Sequence, residues 1–209
     1  MEQKIIYSEI LKTSWRRLLR QFWLLVGLGI GFTIIYSLLY IFSMPQHGET
    51  MKISGIIVGI LDWILLYIFF MGYMKNCFQT IDGEEPQFSA YGQVSRKFFT
   101  FLIALIIYGI VVAIGLALLI LPGIYLMIRL QYYLAAIVDE DAGIIDSLKR
   151  SWQITKGQEL PLFVILLIMI AISCIGTIAL VVGIFVAIPF MMLIHCVTFR
   201  KLTAPATAD

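Results

Sequence analysis

Three ionisable side chains lie in strongly apolar stretches of the sequence and could do chemistry there: Asp62, Arg129 and His195. A carboxylate or guanidinium at the centre of a membrane helix costs about 2.5–3.5 kcal/mol on insertion scales, so such residues usually pair or face a cavity. We expect Asp62 and Arg129 to lie at similar depth and to form an ion pair. The two residues either fix helix packing or line a polar cavity that binds a solute, an ion or a lipid headgroup.

His195 is a candidate proton carrier or metal ligand, because imidazole titrates near neutral pH. Cys196 follows it, but adjacent helical residues point about 100° apart and would not hold one ion together. Cys77 and Cys174 have no metal-binding spacing either. We therefore interpret His195 as a hydrogen-bonded structural residue, and the sequence predicts no metal and no cofactor.

The motifs of familiar soluble enzymes are absent. The sequence contains no phosphate loop, nucleophile elbow or HExxH helix, which argues against a soluble-type catalytic site. The formal net charge of +2 is too small to suggest nucleic-acid binding, and no nucleic-acid recognition motif supports it.

The composition predicts that lipid is the solvent for most of the chain. The 209 residues are 61% hydrophobic and 13% charged, whereas a soluble domain carries about 25% charged residues. Hydropathy gives spans at Phe22–Phe42 and Ser54–Tyr73, followed by two apolar stretches of twice that length, Phe98–Val138 and Leu160–Phe199. Because about 20 residues cross a bilayer, each long stretch should form a helical hairpin. The prediction is an all-α polytopic membrane protein with six transmembrane helices.

The positive charges predict the orientation of these spans. Lys and Arg gather in cytoplasmic flanks, and here they occupy the segments on one side: Lys4, Lys12, Arg16, Arg17, Arg20, Lys75, Arg96, Lys97, Lys149, Arg150, Lys156, Arg200 and Lys201. The opposite side has Lys52 alone. Both termini should therefore be cytoplasmic, and the basic N-terminus should be retained because no cleavage site follows it.

Amphipathic helices are expected along the same membrane surface. Apolar residues, with one serine among them, recur at helical spacing in the first of these helices: Tyr7, Ile10, Leu11, Ser14, Trp15, Leu18, Leu19 and Phe22. This pattern predicts a helix whose apolar stripe faces the membrane and whose cations meet anionic lipids of the cytoplasmic leaflet. A second copy contains Ile145, Leu148 and Trp152, and a weaker third contains Phe88, Tyr91, Val94 and Phe98. The predicted membrane-contact residues are Trp15, Arg16, Arg17, Arg20, Lys149, Arg150 and Trp152.

A threefold internal repeat is predicted from the letters and the spacing. Leu11 to Trp15 and Leu148 to Trp152 share four of five residues, and Gly109 and Pro122 are spaced as Gly176 and Pro189 are. Each unit would contain one surface helix and one helical hairpin. The units are residues 1–78, 79–138 and 139–201, in a single membrane domain that ends with a polar tail at 202–209.

Two other groups of residues predict local structure. The acidic clusters Asp82, Glu84, Glu85 and Asp139, Glu140, Asp141 precede surface helices, where they should cap free amides; a cation or a basic partner is the alternative. The glycines Gly27, Gly29 and Gly31 of the first span, with Gly55 and Gly59 of the second, should allow close helix approach inside the monomer or at a dimer face.

A family resemblance is strongest between residues 120 and 157. It is carried by Pro122-Gly123-Ile124-Tyr125, Arg129, Val138-Asp139-Glu140, Asp146 to Trp152 and Thr155-Lys156-Gly157. The pattern resembles the membrane domain attached to bacterial glycerophosphoryl diester phosphodiesterases, and its stand-alone multi-pass relatives. The resemblance implies an all-helical bundle in the bacterial cytoplasmic (inner) membrane. It implies no catalytic residues, because the active site of those phosphodiesterases belongs to a separate soluble domain.

The expected function is therefore non-enzymatic: a membrane protein that binds or transports a small solute or lipid, or that works as the membrane subunit of a protein partner. An intramembrane enzyme acting on a lipid-linked substrate is the alternative, and it would use Asp62, Arg129 and His195. A membrane-bound immunity or tolerance factor is also compatible with the sequence. The oligomeric state does not follow from it.

Overall fold

The computed structural model describes residues 5–43 and 53–204, so most of the predicted polar loop from Met44 to Ile53, with His47, lies outside the described residues. Within the described ranges the chain forms ten helices and no strand. These are α1 (Tyr7–Arg20), α2 (Phe22–Ser43), α3 (Ile53–Asp82), α4 (Ser89–Ser95), α5 (Phe98–Leu118), α6 (Ile120–Leu130), α7 (Tyr133–Asp139), α8 (Ile144–Ile154), α9 (Glu159–Ile178) and α10 (Leu180–Thr203).

Six helical segments in the described part of the chain are long and apolar enough to cross a membrane. They lie at Phe22–Ile41, Gly55–Asp82, Phe98–Leu118, Ile120–Asp139, Glu159–Ile178 and Gly183–Thr203. The fourth combines α6 and α7, and it and the sixth are the most buried of the six. The predicted all-α polytopic fold with six spans is confirmed.

The first long apolar stretch turns back on itself at Leu119, with no polar side chain in the turn. Leu119 is extended, at φ −160° and ψ 146°. Its N–H donates to Gly115 O at 3.1 Å and its C=O accepts from Gly123 N at 3.3 Å. A Cβ on Gly115 would lie 3.0 Å from the Gly123 Cα, so two glycines bring the helices together here. The turn can lie in apolar surroundings because these backbone groups are paired.

The second stretch turns at Ala179 in a similar way. The Ala179 N–H donates to Ile175 O at 3.0 Å, and a Cβ on Gly176 would lie 2.7 Å from the Ala187 Cβ. Both turns fall inside the glycine–proline brackets noted in the sequence. The prediction of two helical hairpins is therefore confirmed.

The fourth span is interrupted between α6 and α7, a feature that the hydropathy does not predict. The break falls at Gln131 and Tyr132. There the Tyr132 N–H donates to Ser151 Oγ at 3.0 Å, and Arg129 O accepts from Ser151 Oγ at 2.9 Å and from Thr155 Oγ1 at 3.0 Å. Side chains of α8 thus pair backbone groups at the interruption of the span.

Each of the three short amphipathic helices packs on the helix that ends a hairpin: α4 on α3, α8 on α7 and α1 on α10. Buried residues spaced by four run along each of them and, for α4 and α8, continue just past the end of the helix: Ala90, Val94 and then Phe98 of α5; Ser147, Ser151 and then Thr155; Ile10, Ser14 and Leu18. The amphipathic helices are therefore confirmed. The prediction that the whole apolar stripe of α1 faces the membrane is wrong, because Ile10, Ser14 and Leu18 pack inside the protein while Trp15 and Leu19 remain exposed.

The C-terminal ends of α3, α7 and α10 meet in an ion-pair network, which we call the charged end. Arg200 Nη2 lies 2.8 Å from Asp82 Oδ2 and 2.9 Å from Asp139 Oδ1. Neighbouring pairs join Arg150 to Glu140 and Lys97 to Asp141. The prediction that these acidic residues cap α4 and α8 is wrong: neither helix has a side-chain cap hydrogen bond. The carboxylates of Asp82, Asp139, Glu140 and Asp141 pair with cations of other segments instead.

Candidate functional site

The most unusual polar residue inside the bundle is Asp62. It lies on α3, is 5% exposed, and its Oδ1 is buried without a hydrogen-bond partner among the described residues. The Tyr36 side chain of α2 lies near the carboxylate. Burying a carboxylate without a charged partner is unfavourable. Asp62 is therefore a polar group whose bonding capacity is not used up by the fold.

The predicted ion pair between Asp62 and Arg129 is wrong, and the reason is depth. Asp62 lies twenty residues before Asp82, which is about 30 Å along a helix, and Arg129 lies ten residues before Asp139, or about 15 Å. Asp82 and Asp139 are at one level because both bind Arg200. The two residues therefore differ in depth by about 15 Å, too far for their side chains to meet.

Arg129 is instead fixed among residues of α8 and α9. Its Nη1 lies 2.7 Å from Glu159 Oε1, its Nη2 donates to Trp152 O at 2.7 Å, and its guanidinium carbon lies 4.2 Å from the centre of the Trp152 ring. The residue is 2% exposed. Nε has no partner, but the other contacts satisfy the charge. Arg129 therefore connects three helices and has a structural role.

The His195 side chain is held in place by packing against an aromatic neighbour. Its ring stacks on Tyr132, with centroids 4.5 Å apart and an interplanar angle of 24°. It lies five residues before Arg200, about 8 Å from the charged end along α10. His195, Arg129 and Asp62 are therefore at three different depths, and the structure does not bring these predicted site residues together.

A long apolar groove runs between α2 and α3 and is closed at one end by α4. We call it the α2–α3 groove; its volume is about 610 Å³, within the range of small-molecule sites. It exists because nothing lies within 4 Å of a Cβ placed on Gly27 or Gly31. These glycines therefore leave space, and the predicted close helix approach inside the monomer is wrong at these two positions; the alternative of a dimer face stays a prediction.

A row of aromatic rings follows the same seam from α4 to the outer half of α2. Successive members are in ring contact, with centroids 3.6–6.4 Å apart: Phe88, Tyr91, Phe69, Phe32, Tyr36 and Tyr40. The first four line the α2–α3 groove. At the α4 end, Gly72 lets the Tyr91 ring lie against α3, and Asn76 Nδ2 donates to the Tyr91 hydroxyl at 3.3 Å.

Asp62 belongs to the helix face that lines this groove. Asp62, Leu65 and Phe69 follow one another at spacings of three and four, so they share one face of α3. Leu65 and Phe69 line the groove. The Asp62 carboxylate therefore lies about one helical turn beyond the lined part of the groove, on the side away from the charged end.

The predicted membrane-contact residues divide into two groups. Arg16, Arg20 and Lys149 are exposed, and so are Trp15 and Trp152. Arg17 donates to Thr80 O at 3.4 Å and Arg150 binds Glu140 at 2.8 Å, so these two connect segments of the protein. Trp15 and Trp152 also contact the bundle edge-to-face, through Phe190 and Tyr125 respectively.

The α2–α3 groove was missed at the level of sequence. The spacing of Gly27 and Gly31 is compatible both with close helix packing and with an open groove. The positions of neighbouring side chains, which the sequence does not give, decide between these two arrangements. The aromatic residues Phe32, Tyr36 and Phe69 were a usable signal, since they are spaced along one face of each helix.

The fold and its lipid-facing apolar surface define a multi-pass α-helical membrane protein. Within that class, the chain belongs to the family described as a domain of unknown function, DUF7847, whose model matches residues 88–208. The match begins at Phe88 and extends over α4 to α10, whereas α1, α2 and α3 precede it. No curated protein and no solved structure matches the chain.

Proposed function

We propose that this protein binds a long-chain amphiphile, which enters the α2–α3 groove sideways from the membrane. The observation that carries the proposal is the groove itself: about 610 Å³ of apolar space between two membrane-spanning helices. Apolar space on the flank of such helices is in contact with lipid tails. A chain-like ligand would replace loosely held lipid and gain contact with a rigid aromatic surface.

The shape of the groove fits a single extended chain. Its lining on α2 begins at Trp23 and ends at Ile35, a distance of about 18 Å along the helix. The aromatic row supplies one wall over this length. An uncharged chain therefore has continuous apolar contact. A compact polar solute would find few partners, since among the described lining residues only Tyr91 and Trp23 carry a polar group in the side chain.

We further propose that the charged end faces the cytoplasm of a bacterial cell and contacts anionic lipid. Arg16, Arg20 and Lys149 are exposed there and are free to meet phosphate groups, which attract basic segments by about 1 kcal/mol per residue. The common packing of α1, α4 and α8 supports the proposed threefold repeat. The resemblance to phosphodiesterase membrane domains stays a prediction.

The alternative of an intramembrane enzyme is not supported by the positions of its candidate residues. An enzyme requires its acid, base and charged groups within hydrogen-bonding reach of one substrate. Asp62, Arg129 and His195 lie at three depths, and Arg129 is already occupied by Glu159 and Trp152 O. We therefore favour binding over catalysis.

Titration of lipid nanodiscs with dodecanol tests the proposed function. The test variant is Gly31→Leu, whose side chain would fill the groove. The matched control is Gly109→Leu, because Gly109 is also helical and also has nothing within 4 Å of an added Cβ. Calorimetry should show saturable binding near one ligand per protein for the native chain and for Gly109→Leu. Binding by Gly31→Leu should be at least about tenfold weaker. Heat identical to that of empty discs, or equal binding by Gly31→Leu, would exclude the groove.

A further inference from the structure

We infer that the α2–α3 groove is specific for amphiphiles whose head is an ammonium group, and that Asp62, Tyr36 and Tyr40 form the site for that head. The inference rests on the proposed function and adds the chemical class of the ligand. A primary amine and a quaternary ammonium share the chemistry that matters: one positive charge and an accessible apolar surface.

The first argument is the unused bonding capacity of Asp62. Asp62 is only 5% exposed, and its Oδ1 has no hydrogen-bond partner among the described residues. No Lys or Arg of the described ranges forms an ion pair with it. A buried carboxylate is stabilised mainly by an opposite charge. A cation carried into the bundle by an apolar chain would supply that charge where the fold does not.

The second argument is the Tyr36 ring, which lies near the carboxylate, together with the Tyr40 ring next to it. The rings of Tyr36 and Tyr40 are almost parallel, with centroids 6.4 Å apart and an interplanar angle of 11°. The face of a phenol ring attracts organic cations, quaternary ammonium groups above all. A carboxylate next to aromatic faces is therefore the combination that recognises an ammonium ion.

The third argument is that a metal ion does not fit. Within 5–43 and 53–204, no three His, Cys, Asp or Glu residues come together in a way that could hold a metal. One carboxylate with phenol neighbours supplies too few oxygen ligands for calcium or magnesium. A singly charged organic cation needs neither a coordination shell nor a second carboxylate.

The fourth argument is continuity with the groove. Asp62 shares the face of α3 with Leu65 and Phe69, and Tyr36 contacts Phe32 through a ring distance of 5.8 Å. Phe32, Leu65 and Phe69 line the groove. An ammonium head at Asp62 would therefore place its tail along the aromatic row, pointing towards the charged end.

The test compares dodecyltrimethylammonium with dodecanol in the same nanodiscs, for the native chain and for Asp62→Asn. We expect the native chain to prefer the ammonium probe by about tenfold, equivalent to about 1.4 kcal/mol. Asp62→Asn should lose the preference and keep its dodecanol affinity within about twofold. Glu85→Gln, which removes an exposed carboxylate near Phe88, should keep the preference.

The outcomes separate the two proposals. Ammonium recognition would be overturned if Asp62→Asn still preferred dodecyltrimethylammonium over dodecanol, or if the native chain bound dodecanoate more tightly than dodecyltrimethylammonium. In either case, saturable binding of dodecanol would still support the groove as a binding site. Failure of both probes to bind the native chain would overturn the proposed function as well. Tyr36→Phe is the second variant in case Asp62→Asn does not fold: it keeps the ring, loses the hydroxyl, and should retain most of the preference.

A last arm identifies the source of the ammonium group. In discs of phosphatidylglycerol alone, the lipid carries no ammonium group to compete with the probe. If the ligand in the membrane is an amine phospholipid, adding phosphatidylethanolamine should weaken binding of dodecyltrimethylammonium. An unchanged affinity would identify a free amphiphile as the ligand, and both results uphold recognition of the ammonium class.

Discussion

The guanidinium of Arg129 lies over the indole ring of Trp152 at 4.2 Å and donates to the backbone carbonyl of the same residue at 2.7 Å. A surface helix is thereby attached to the interior of the fourth span. Ser151 and Thr155 add hydrogen bonds to Arg129 O from the same helix. A residue that is costly to place in a membrane is therefore used to position α8.

Loss of Arg129 should destabilise the fold strongly. Arg129→Gln removes a guanidinium that is 2% exposed, pairs with Glu159 and donates to Trp152 O, and the loss of these buried contacts costs about 3 kcal/mol. Arg150→Gln is the matched control, because the Arg150 side chain is 36% exposed and its pair with Glu140 should contribute less than about 1 kcal/mol. Unfolding by sodium dodecyl sulfate in mixed micelles measures both free energies.

The double variant Arg129→Gln with Glu159→Gln should recover part of that loss, because no unpaired charge remains. Equal free energies of unfolding for Arg129→Gln and Arg150→Gln would contradict the structural role of Arg129.

The contact between Gly72 and Tyr91 predicts a second effect on stability. A Cβ at Gly72 would overlap the Tyr91 ring, so Gly72→Ala should displace α4 and cost about 1–3 kcal/mol. Gly59→Ala is the control on the same helix, since nothing lies within 4 Å of its Cβ; it should stabilise α3 by up to about 1 kcal/mol. Thermal unfolding in detergent would show opposite shifts of the midpoint, and shifts of the same sign would refute this prediction.

The ion pair between Lys97 and Asp141 predicts a pH-dependent contribution to stability. Lys97 Nζ lies 2.5 Å from Asp141 Oδ1, and the hydrogen bond and charge of Lys97 lower the pKa of Asp141 from its ordinary value of 3.8. The contribution is therefore fully present above pH 3.8 and is lost as the pH falls through the lower folded-state pKa.

The variant that measures this contribution is Asp141→Asn, because asparagine tolerates the φ of 58° at this position. Its unfolding midpoint should be below that of the native chain at neutral pH and should converge with it in strong acid. Glu84→Gln, at an exposed carboxylate, should show a smaller difference at neutral pH. A gap between Asp141→Asn and the native chain that persists below the folded-state pKa would show that the effect is not electrostatic.

The orientation proposed for the charged end predicts the accessibility of two exposed lysines. Lys12 of α1 and Lys149 of α8, each replaced by cysteine after Cys174→Ala, should react with a membrane-impermeant maleimide in inverted vesicles and not in intact cells. Cys77 and Cys196 are buried and remain as internal controls. Labelling of the two positions from opposite sides would contradict a single cytoplasmic surface.

The six spans, the two hairpins and the three surface helices can be predicted from the sequence. Hydropathy and charge are properties of whole segments, and they indicate whether a segment lies in lipid or in water. The depth of Asp62 and Arg129 does not follow from it. The hydropathy boundary at Tyr73 shortens α3, which continues to Asp82, and the break at Gln131 and Tyr132 depends on hydrogen bonds from α8. Pairing between distant helices therefore needs coordinates.

The acidic residues give a similar lesson. Position before a helix predicts a cap, but Asp82 and Asp139 lie next to Arg200 in space, and Arg200 is far away in sequence. A full positive charge outweighs the partial charge of a short helix end. The sequence identifies which residues are charged, and only the fold decides which charges are neighbours.

The packing of α1 against α10 joins two helices that are far apart in the sequence. Ile10, Ser14 and Leu18 of α1 are buried in the folded bundle, and this face of α1 cannot be covered by α10 until the whole segment between the two helices has been synthesised. We therefore expect the contact between α1 and α10 to form late in assembly, and a chain truncated before α10 to leave this face of α1 without its partner.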